Sequence, residues 1–239
     1  MDRAEVSLPG RKLVVYTLLH DTQKPGILIG HGLGSRALRH ESLINYLYAA
    51  GYTVVAPDLT GFGESRYDGL VSFALHQEDF RTATAILEKN SSRTGVFGHS
   101  YSGVLAATSG KYDAYALAAS PIPMANGQLR SLKKEGAVTR ENGSIVKISL
   151  NGYTIRTPLA EITNARRWDI KEHSPIVTAP VLLVRAEHDE FVNAEHIGAL
   201  RSRLQGECTV ATIKGAEHKF EGYEHELEVL LKNWFDKHL

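Results

Sequence analysis

The stretch GVFGHSYSG, residues 95–103, passes from a short apolar run into a serine set between small residues. Ser100 follows Gly98-His99, and a tyrosine, a second serine and Gly103 come after it. An ordinary polar loop does not need glycines on both sides of one serine. Small residues there are typical of a tight, strained turn that leads from a buried strand into a helix. Ser100 is therefore a candidate nucleophile if the fold brings a base and an acid to the same turn.

The overall composition is that of a globular chain with a core of ordinary size. The chain has 239 residues, 43% of them hydrophobic, and its 27 basic side chains balance 27 acidic ones. This balance gives no reason to expect a nucleic acid or an anionic membrane as partner. The single cysteine, Cys208, excludes an internal disulfide framework and fits a reducing compartment. The first residues lack the apolar core of a signal peptide, and no apolar run reaches the roughly 20 residues that span a bilayer. We expect a cytoplasmic protein.

Short apolar runs alternate with longer segments of helical periodicity. The runs are nearly continuously apolar, as in strands that are buried on both faces of a parallel sheet. They occupy residues 26–30, 52–57, 94–98, 112–120, 180–186 and 208–213, with 12–20 as a further, outer strand. Helices are predicted within 37–51, 72–90 and 222–239, where apolar residues recur every three or four positions. The pattern predicts an α/β fold with a doubly wound, mostly parallel sheet.

One region interrupts this alternation. From residue 121 to residue 175 the sequence predicts an inserted cap, and residues 1–120 and 176–239 form the core. Asn142-Gly143 and Asn151-Gly152 lie on either side of an apolar stretch, and Asn-Gly is the strongest short hairpin signal. We predict a small antiparallel meander followed by a short helix within 158–168; the alternative is a long ordered loop. Insertions of this kind usually cover an active site.

Chemically useful residues follow the predicted strands at the edge where their carboxyl ends meet. Ser100, Asp189 and His218 each come after a different strand, in that chain order. In open α/β sheets the ligand crevice lies at this edge, so the three can form a Ser-Asp-His triad. Glu187 and Glu190 are rivals of Asp189 for the role of the acid.

These motifs resemble those of the α/β-hydrolases, whose nucleophile lies on a strand-turn-helix elbow of pattern G-x-S-x-G. The His-Gly loop at 31–34, the D-x-x-G-x-G-x-S stretch at 58–65, the elbow, the late Asp and the final G-x-x-H appear in order along nearly the whole chain. The elbow departs from the pattern, because Ser102 stands where the second glycine is expected and Gly103 follows one position later. The inserted cap looks most similar to that of small-acyl carboxylesterases, such as cinnamoyl and feruloyl esterases, with monoacylglycerol-lipase-like enzymes as near neighbours.

The resemblance implies a role for each candidate residue. Ser100 would attack the carbonyl, His218 would act as the general base and then the general acid, and Asp189 would hold the imidazole tautomer. The backbone N–H groups of Leu33 and Tyr101 would bind the oxyanion. His31 is expected to shape the oxyanion loop, and His99 to pack and hydrogen-bond rather than act as a second base. The implied activity is that of a serine carboxylesterase acting on a small-molecule ester of a small or aromatic acid.

Other functions stay open on sequence grounds. The same triad serves thioesterases, acyltransferases, perhydrolases and peptidases, and a hydrolase fold can also act as a non-catalytic binding protein. Nucleotide binding by the glycine-rich loop is a weaker alternative, because Ser35 replaces the last glycine of G-x-G-x-x-G. With no H-E-x-x-H and no paired cysteines, we predict neither a metal nor a cofactor.

The substrate and the oligomeric state are the least defined properties. Cap residues could line an acyl or aryl pocket, or could simply pack the cap onto the sheet; they are Met124, Tyr153, Ile155 and Trp168. An exposed cap strand could also pair with a neighbouring chain, which leaves a homo-oligomer open.

Overall fold

The computed structural model describes residues 1–122, 137–163, 170 and 174–239, and eleven strands lie in that part of the chain. Their bounds are β1 Asp2–Leu8, β2 Arg11–Leu18, β3 Gly26–Gly30, β4 Thr53–Pro57, β5 Thr94–His99, β6 Ala114–Ala118, β7 Val138–Arg140, β8 Ile145–Leu150, β9 Tyr153–Pro158, β10 Val181–Ala186 and β11 Cys208–Ile213. Eight of them form one sheet in the order β1-β2-β4-β3-β5-β6-β10-β11, and the other three form a second sheet in the order β7-β8-β9.

The large sheet is parallel except at one edge. The pairs from β4 to β11 are all parallel, whereas β1 and β2 pair antiparallel with each other and β2 pairs antiparallel with β4. The strand predicted at 12–20 therefore lies one place inside the edge, because β1 pairs on its outer side. The sequence of β1, DRAEVSL, gives no apolar signal because most of its side chains are exposed.

Six α-helices of the described residues connect and cover the strands. Their bounds are α1 Glu41–Ala49, α2 Phe73–Lys89, α3 Tyr101–Ser109, α4 Leu159–Thr163, α5 Ala194–Arg201 and α6 Glu224–His238. On one face of the sheet, α2, α3 and α5 contribute to a core that includes Phe80 and Leu105. On the other face, α1 and α6 contribute to a second core that includes Leu47 and Phe235. The predicted doubly wound α/β sheet is confirmed.

The small antiparallel sheet lies where the sequence predicts a meander. Strands β8 and β9 form a hairpin whose turn is Asn151-Gly152, and both turn residues have positive φ angles, +48° and +83°. This is the backbone twist that two-residue hairpins prefer, and it explains the Asn-Gly sequence. The short helix α4 lies within the predicted range 158–168, of which residues 164–168 lie outside the described part. The predicted boundaries of the cap, 121 and 175, stay a prediction.

Two hydrogen bonds join the small sheet and α4 to residues 71–73, where α2 begins. The Val71 N–H donates to the Arg156 carbonyl at 2.8 Å. The Phe73 N–H donates to the Glu161 carboxylate at 3.1 Å. The hairpin is thus anchored near its base, away from the Asn151-Gly152 turn.

Within the described ranges, no helix has the length and apolar character needed to cross a membrane.

Candidate active site

Ser100 occupies a sharp turn between β5 and α3. Its φ angle is +52° and its ψ angle is −115°, a backbone conformation that is strained for a residue with a side chain. Two backbone hydrogen bonds hold the turn: the Ser100 N–H donates to the Ala118 carbonyl at 2.8 Å, and the Gly103 N–H donates to the Ser100 carbonyl at 3.0 Å. The strain is therefore fixed by the sheet on one side and by the first turn of α3 on the other.

The side chains of Ser100, His218 and Asp189 form one hydrogen-bonded chain. The Ser100 Oγ lies 3.0 Å from His218 Nε2. His218 Nδ1 lies 3.0 and 2.9 Å from the two carboxylate oxygens of Asp189. Because a carboxylate accepts, Nδ1 carries the proton, and Nε2 is left with a lone pair toward the serine hydroxyl. This is the tautomer that a general base for the Ser100 hydroxyl requires.

The carboxylate of Asp189 is the buried acid of the turn after β10. Its side chain is 1% exposed, and its Oδ1 also accepts from the backbone N–H groups of Phe191 at 2.8 Å and Val192 at 2.9 Å. These donors replace the water that burial removes, so the carboxylate keeps its hydrogen-bond partners beside the imidazole. The rival Glu187 instead accepts from the Gly215 N–H at 2.8 Å, and Glu190 is exposed on the same turn.

A second histidine holds the backbone of His218. The His99 Nε2–H donates to the His218 carbonyl at 2.9 Å, and the two rings lie 5.4 Å apart. Burial, together with the neighbouring His218, lowers the pKa of His99 to about 3, so its ring stays neutral. His99 thus has the hydrogen-bonding role that the sequence suggests.

The loop after β3 lies directly against the turn at Ser100. A Cβ on Gly32 would lie 3.6 Å from the Ser100 Cβ and 3.3 Å from His99 Nδ1, so only glycine lets the loop come this close without a shift. His31 donates from Nδ1 to the Gly32 carbonyl at 2.8 Å and accepts from the Leu59 N–H at Nε2 at 3.0 Å. Burial lowers the pKa of His31 to about 4, which keeps this arrangement of one donor and one acceptor. The half-buried Leu33, whose N–H the sequence predicts as an oxyanion donor, follows Gly32 in this loop.

Tyr101, the other expected donor of a backbone N–H, begins α3 and has a buried ring. Its hydroxyl lies 2.9 Å from His76 Nδ1, and His76 Nε2 donates to the Thr60 carbonyl at 2.9 Å. The Tyr101 hydroxyl must therefore donate, because His76 has its proton on the other nitrogen. Burial lowers the pKa of His76 and raises that of Tyr101, so both groups stay neutral.

Comparison with known proteins gives the fold a name. Residues 21–134, just under half of the chain, match the model of the family described as serine aminopeptidase, S33. No curated protein matches the chain by sequence. Solved structures match along almost its whole length.

Three of these structures illustrate the likeness. Est1E from Butyrivibrio proteoclasticus has a TM-score of 0.76 at 17% identity, over 99% of this chain and 98% of that one. A monoacylglycerol lipase from Paleococcus ferrophilus has a TM-score of 0.72 at 20% identity, over 95% and 99%. The thioesterase domain from the curacin biosynthetic pathway has a TM-score of 0.68 at 15% identity, over 97% and 99%.

The chain has the α/β-hydrolase fold. At these identities the structural likeness shows the fold alone, and the eight-stranded, mostly parallel sheet with helices on both faces is consistent with it. The resemblance read from the sequence motifs is thereby confirmed at the level of the fold.

The shifted glycine of the α/β-hydrolase elbow has a structural explanation. A Cβ on Gly98 would lie 2.6 Å from the N and Cα atoms of Gly103, so strand and helix touch through backbone at these two glycines. The side chain of Ser102, which immediately precedes Gly103, points away from this contact. Its hydroxyl donates to the His31 carbonyl at 2.5 Å and is fully buried. A Cβ on Gly30 would lie 2.6 Å from the Ser102 Cβ, so Gly30 makes the room that the serine side chain needs.

Other residues around the site give no clear signal in the sequence. The ring of Phe191 lies 4.9 Å from that of His218, and 41% of Phe191 is exposed. It therefore forms an apolar wall beside the imidazole, although sequence alone makes it an ordinary turn residue. His76 is likewise one polar residue of an amphipathic helix until the fold places it against Tyr101.

The cap residues considered as pocket lining fall into two groups. Tyr153 packs edge-on against Phe62 at 5.8 Å between ring centres, and Ile155 is buried against the loop at Gly61. Both contacts join the small sheet to the core. Met124 and Trp168 lie outside the described residues. Among the described residues, no group of three His, Cys, Asp or Glu side chains could hold a metal ion.

Proposed function

We propose that the protein is a serine hydrolase that cleaves carboxylic esters of small or aromatic acyl groups through an acyl-enzyme on Ser100. The observation that carries this proposal is the unbroken chain from the Ser100 Oγ to His218 to the buried Asp189. A structural serine needs neither a strained backbone nor an imidazole within 3.0 Å backed by a carboxylate.

Acylation follows from this geometry. The Ser100 Oγ forms a bond to the ester carbonyl carbon while its proton passes to His218 Nε2. The resulting oxyanion accepts from the backbone N–H groups of Leu33 and Tyr101, and loss of one such donor typically costs roughly 10²–10³ in rate. The bond to the alcohol oxygen then breaks, and that oxygen takes the proton from His218.

Deacylation repeats these steps with water. His218 Nε2 accepts a proton from the water molecule as its oxygen attacks the acyl carbon, and the bond to the Ser100 Oγ then breaks as the serine regains its proton. Throughout, Asp189 stabilises the imidazolium that forms twice in each turnover. The half-buried His218, with 18% of its side chain exposed, is accessible to the water that deacylation needs.

The experiment is hydrolysis of p-nitrophenyl esters from acetate to laurate, with a ferulate ester added. We expect hydrolysis by the wild type, none above background for Ser100→Ala, and wild-type rates for Ser202→Ala, an exposed serine at the end of α5. The chain-length optimum would define the size of the acyl site. Equal rates in wild type and Ser100→Ala, or no hydrolysis in either, would contradict the proposal.

Two further substrates separate the alternatives that share this chemistry. An acyl thioester tests the activity named for the curacin pathway domain, and an aminoacyl anilide tests the peptidase activity named for the S33 family. A higher kcat/KM for either than for the best oxygen ester would replace the ester proposal. A fluorophosphonate probe that fails to label Ser100 would favour a non-catalytic binding protein.

A further inference from the structure

The turn of the β8–β9 hairpin contacts the loop that follows β3. Asn151 Nδ2 donates to the Gly34 carbonyl at 3.1 Å, across 117 residues of sequence. The contact is partly buried, so water competes with it less than at an exposed position.

Backbone shape makes this approach possible on both sides. Gly34 has a φ angle of +71°, and a Cβ there would lie 2.5 Å from the Leu150 Cβ, so a larger residue would push loop and hairpin apart. Asn151 has a φ angle of +48°, a left-handed conformation that asparagine tolerates better than most residues. Its side chain is therefore presented by the same turn that closes the hairpin.

The contact lies next to the expected oxyanion donor. Gly32 packs against Ser100 and His99, and Gly34 is held by Asn151, so Leu33 lies between two fixed glycines. A donor N–H is useful in catalysis only if it is already aimed at the position of the developing oxyanion. The hydrogen bond from the Asn151 amide holds Gly34, on the side of Leu33 that is away from Ser100.

We propose that Asn151 is a positioning residue, which holds the backbone of the loop at 31–34 so that the Leu33 N–H points at the oxyanion. This inference rests on the proposed esterase function. It gives the small sheet a part in the chemical step, in addition to covering the site.

Loss of the amide should not unfold the hairpin that carries it. Six residue pairs of β8 and β9 remain in register, and the Val71–Arg156 hydrogen bond anchors the base of the hairpin. The effect of a substitution is therefore expected on the loop at 31–34 and on kcat.

The chain offers a matched control in its other described Asn-Gly turn. Asn142 Oδ1 accepts from the N–H groups of Ser144 and Ile145, and an aspartate keeps that acceptor. Asn151→Asp and Asn142→Asp thus add the same charge to the same small sheet, but only the first removes a donor to the oxyanion loop. Asn151→Gly removes the donor without adding charge and is compatible with the positive φ angle.

Steady-state hydrolysis of the best p-nitrophenyl ester is the first measurement. We expect kcat of Asn151→Asp and Asn151→Gly to fall about 10-fold with little change in KM, which is less than complete loss of an oxyanion donor, while Asn142→Asp stays near wild type. The melting temperatures of all variants should stay within a few degrees of wild type, because one hydrogen bond contributes only about 1 kcal/mol. If Asn151→Asp and Asn142→Asp have the same kcat, or if KM alone changes, Asn151 does not position the loop.

Amide hydrogen exchange of residues 31–36 is the second measurement, and it does not depend on turnover. Faster exchange in Asn151→Asp and Asn151→Gly than in Asn142→Asp would support the restraint, and equal exchange would overturn it. A wild-type protein that hydrolyses no ester would instead overturn the proposed function, and with it the catalytic part of the inference, whatever the exchange shows.

Discussion

Gly103→Ala should destabilise the protein through one identifiable overlap, and Ser120→Gly should relieve it. A Cβ on Gly103 would lie 1.8 Å from the Ser120 Oγ and 2.5 Å from the Ser120 Cβ, far inside contact distance. Both positions are buried, so the core cannot yield easily. Overpacking of this kind costs about 3 kcal/mol, and the better helix propensity of alanine in α3 offsets about 1 kcal/mol. The single variant should therefore lose about 2 kcal/mol of unfolding free energy.

The double variant distinguishes overlap from any other effect of the alanine. Ser120→Gly removes two long hydrogen bonds, at 3.2 and 3.3 Å, and adds chain freedom. That change alone should cost about 1.5 kcal/mol. The free energy of unfolding of the double variant should lie within about 1 kcal/mol of the wild-type value. The two substitutions would then have a coupling energy of about 3 kcal/mol.

Urea unfolding followed by circular dichroism measures all of these values. Gly98→Ala is the control, because the atoms its Cβ would meet belong to the backbone of Ser102 and Gly103, and Ser120→Gly removes none of them. If Gly103→Ala is as stable as wild type, or if Ser120→Gly fails to improve it, the glycine at 103 has another purpose than close packing at the elbow.

Three further expectations concern the hydrogen bonds of the site. Asp189→Asn should lower kcat about 10⁴-fold by favouring the wrong imidazole tautomer, whereas Glu187→Gln should not, as ester hydrolysis will show. Tyr101→Phe should cost about 2 kcal/mol in urea unfolding because it leaves His76 Nδ1 unpaired, yet keep most of kcat because the backbone N–H remains. Burial lowers the pKa of His31 from 6.5 to about 4. Between pH 4 and pH 6.5 the imidazole of His31 therefore binds a proton only in the unfolded chain. His31 should not affect the free energy of unfolding above pH 6.5, and should lower it by about 3 kcal/mol as the pH falls to 4. Unfolding of His31→Asn, measured at several pH values, should show a smaller change of this free energy with pH.

The buried parallel strands could be predicted because their side chains pack into a hydrophobic core on each face of the sheet, so nearly every residue is apolar. GILIG at 26–30 and TGVFG at 94–98 are apolar on both faces, and the structure has strands there with nearly the same bounds. By contrast, β1 is polar because it lies at an exposed edge, where hydrophobic periodicity carries no information. It pairs through its backbone, which every sequence can supply.

The sequence predicts which residues of the candidate site lie at the same edge of the sheet, but not the contacts between them. The chain order of Ser100, Asp189 and His218 places them at one sheet edge, but their hydrogen bonds depend on loop geometry that no local pattern encodes. The contact of Asn151 with Gly34 shows the same limit, because the Asn-Gly turn is a local signal and its partner lies 117 residues away. The roles of these residues in catalysis stay predictions.

The distance along the chain between the proposed nucleophile and the proposed base has a consequence for biosynthesis. Ser100 and His218 are 118 residues apart, and Asp189, the proposed acid, lies in the turn after β10, a strand that follows β6 in the chain. When the ribosome has synthesised the first six strands, the turn at Ser100 has been made. His218, the group that lies within hydrogen-bonding distance of the Ser100 hydroxyl, has not. The ribosome adds roughly 5–20 residues per second, so about ten seconds separate the synthesis of Ser100 from that of His218. For the proposed mechanism, this order of synthesis delays the reactivity of Ser100 until β10 and β11 have been added to the edge of the sheet.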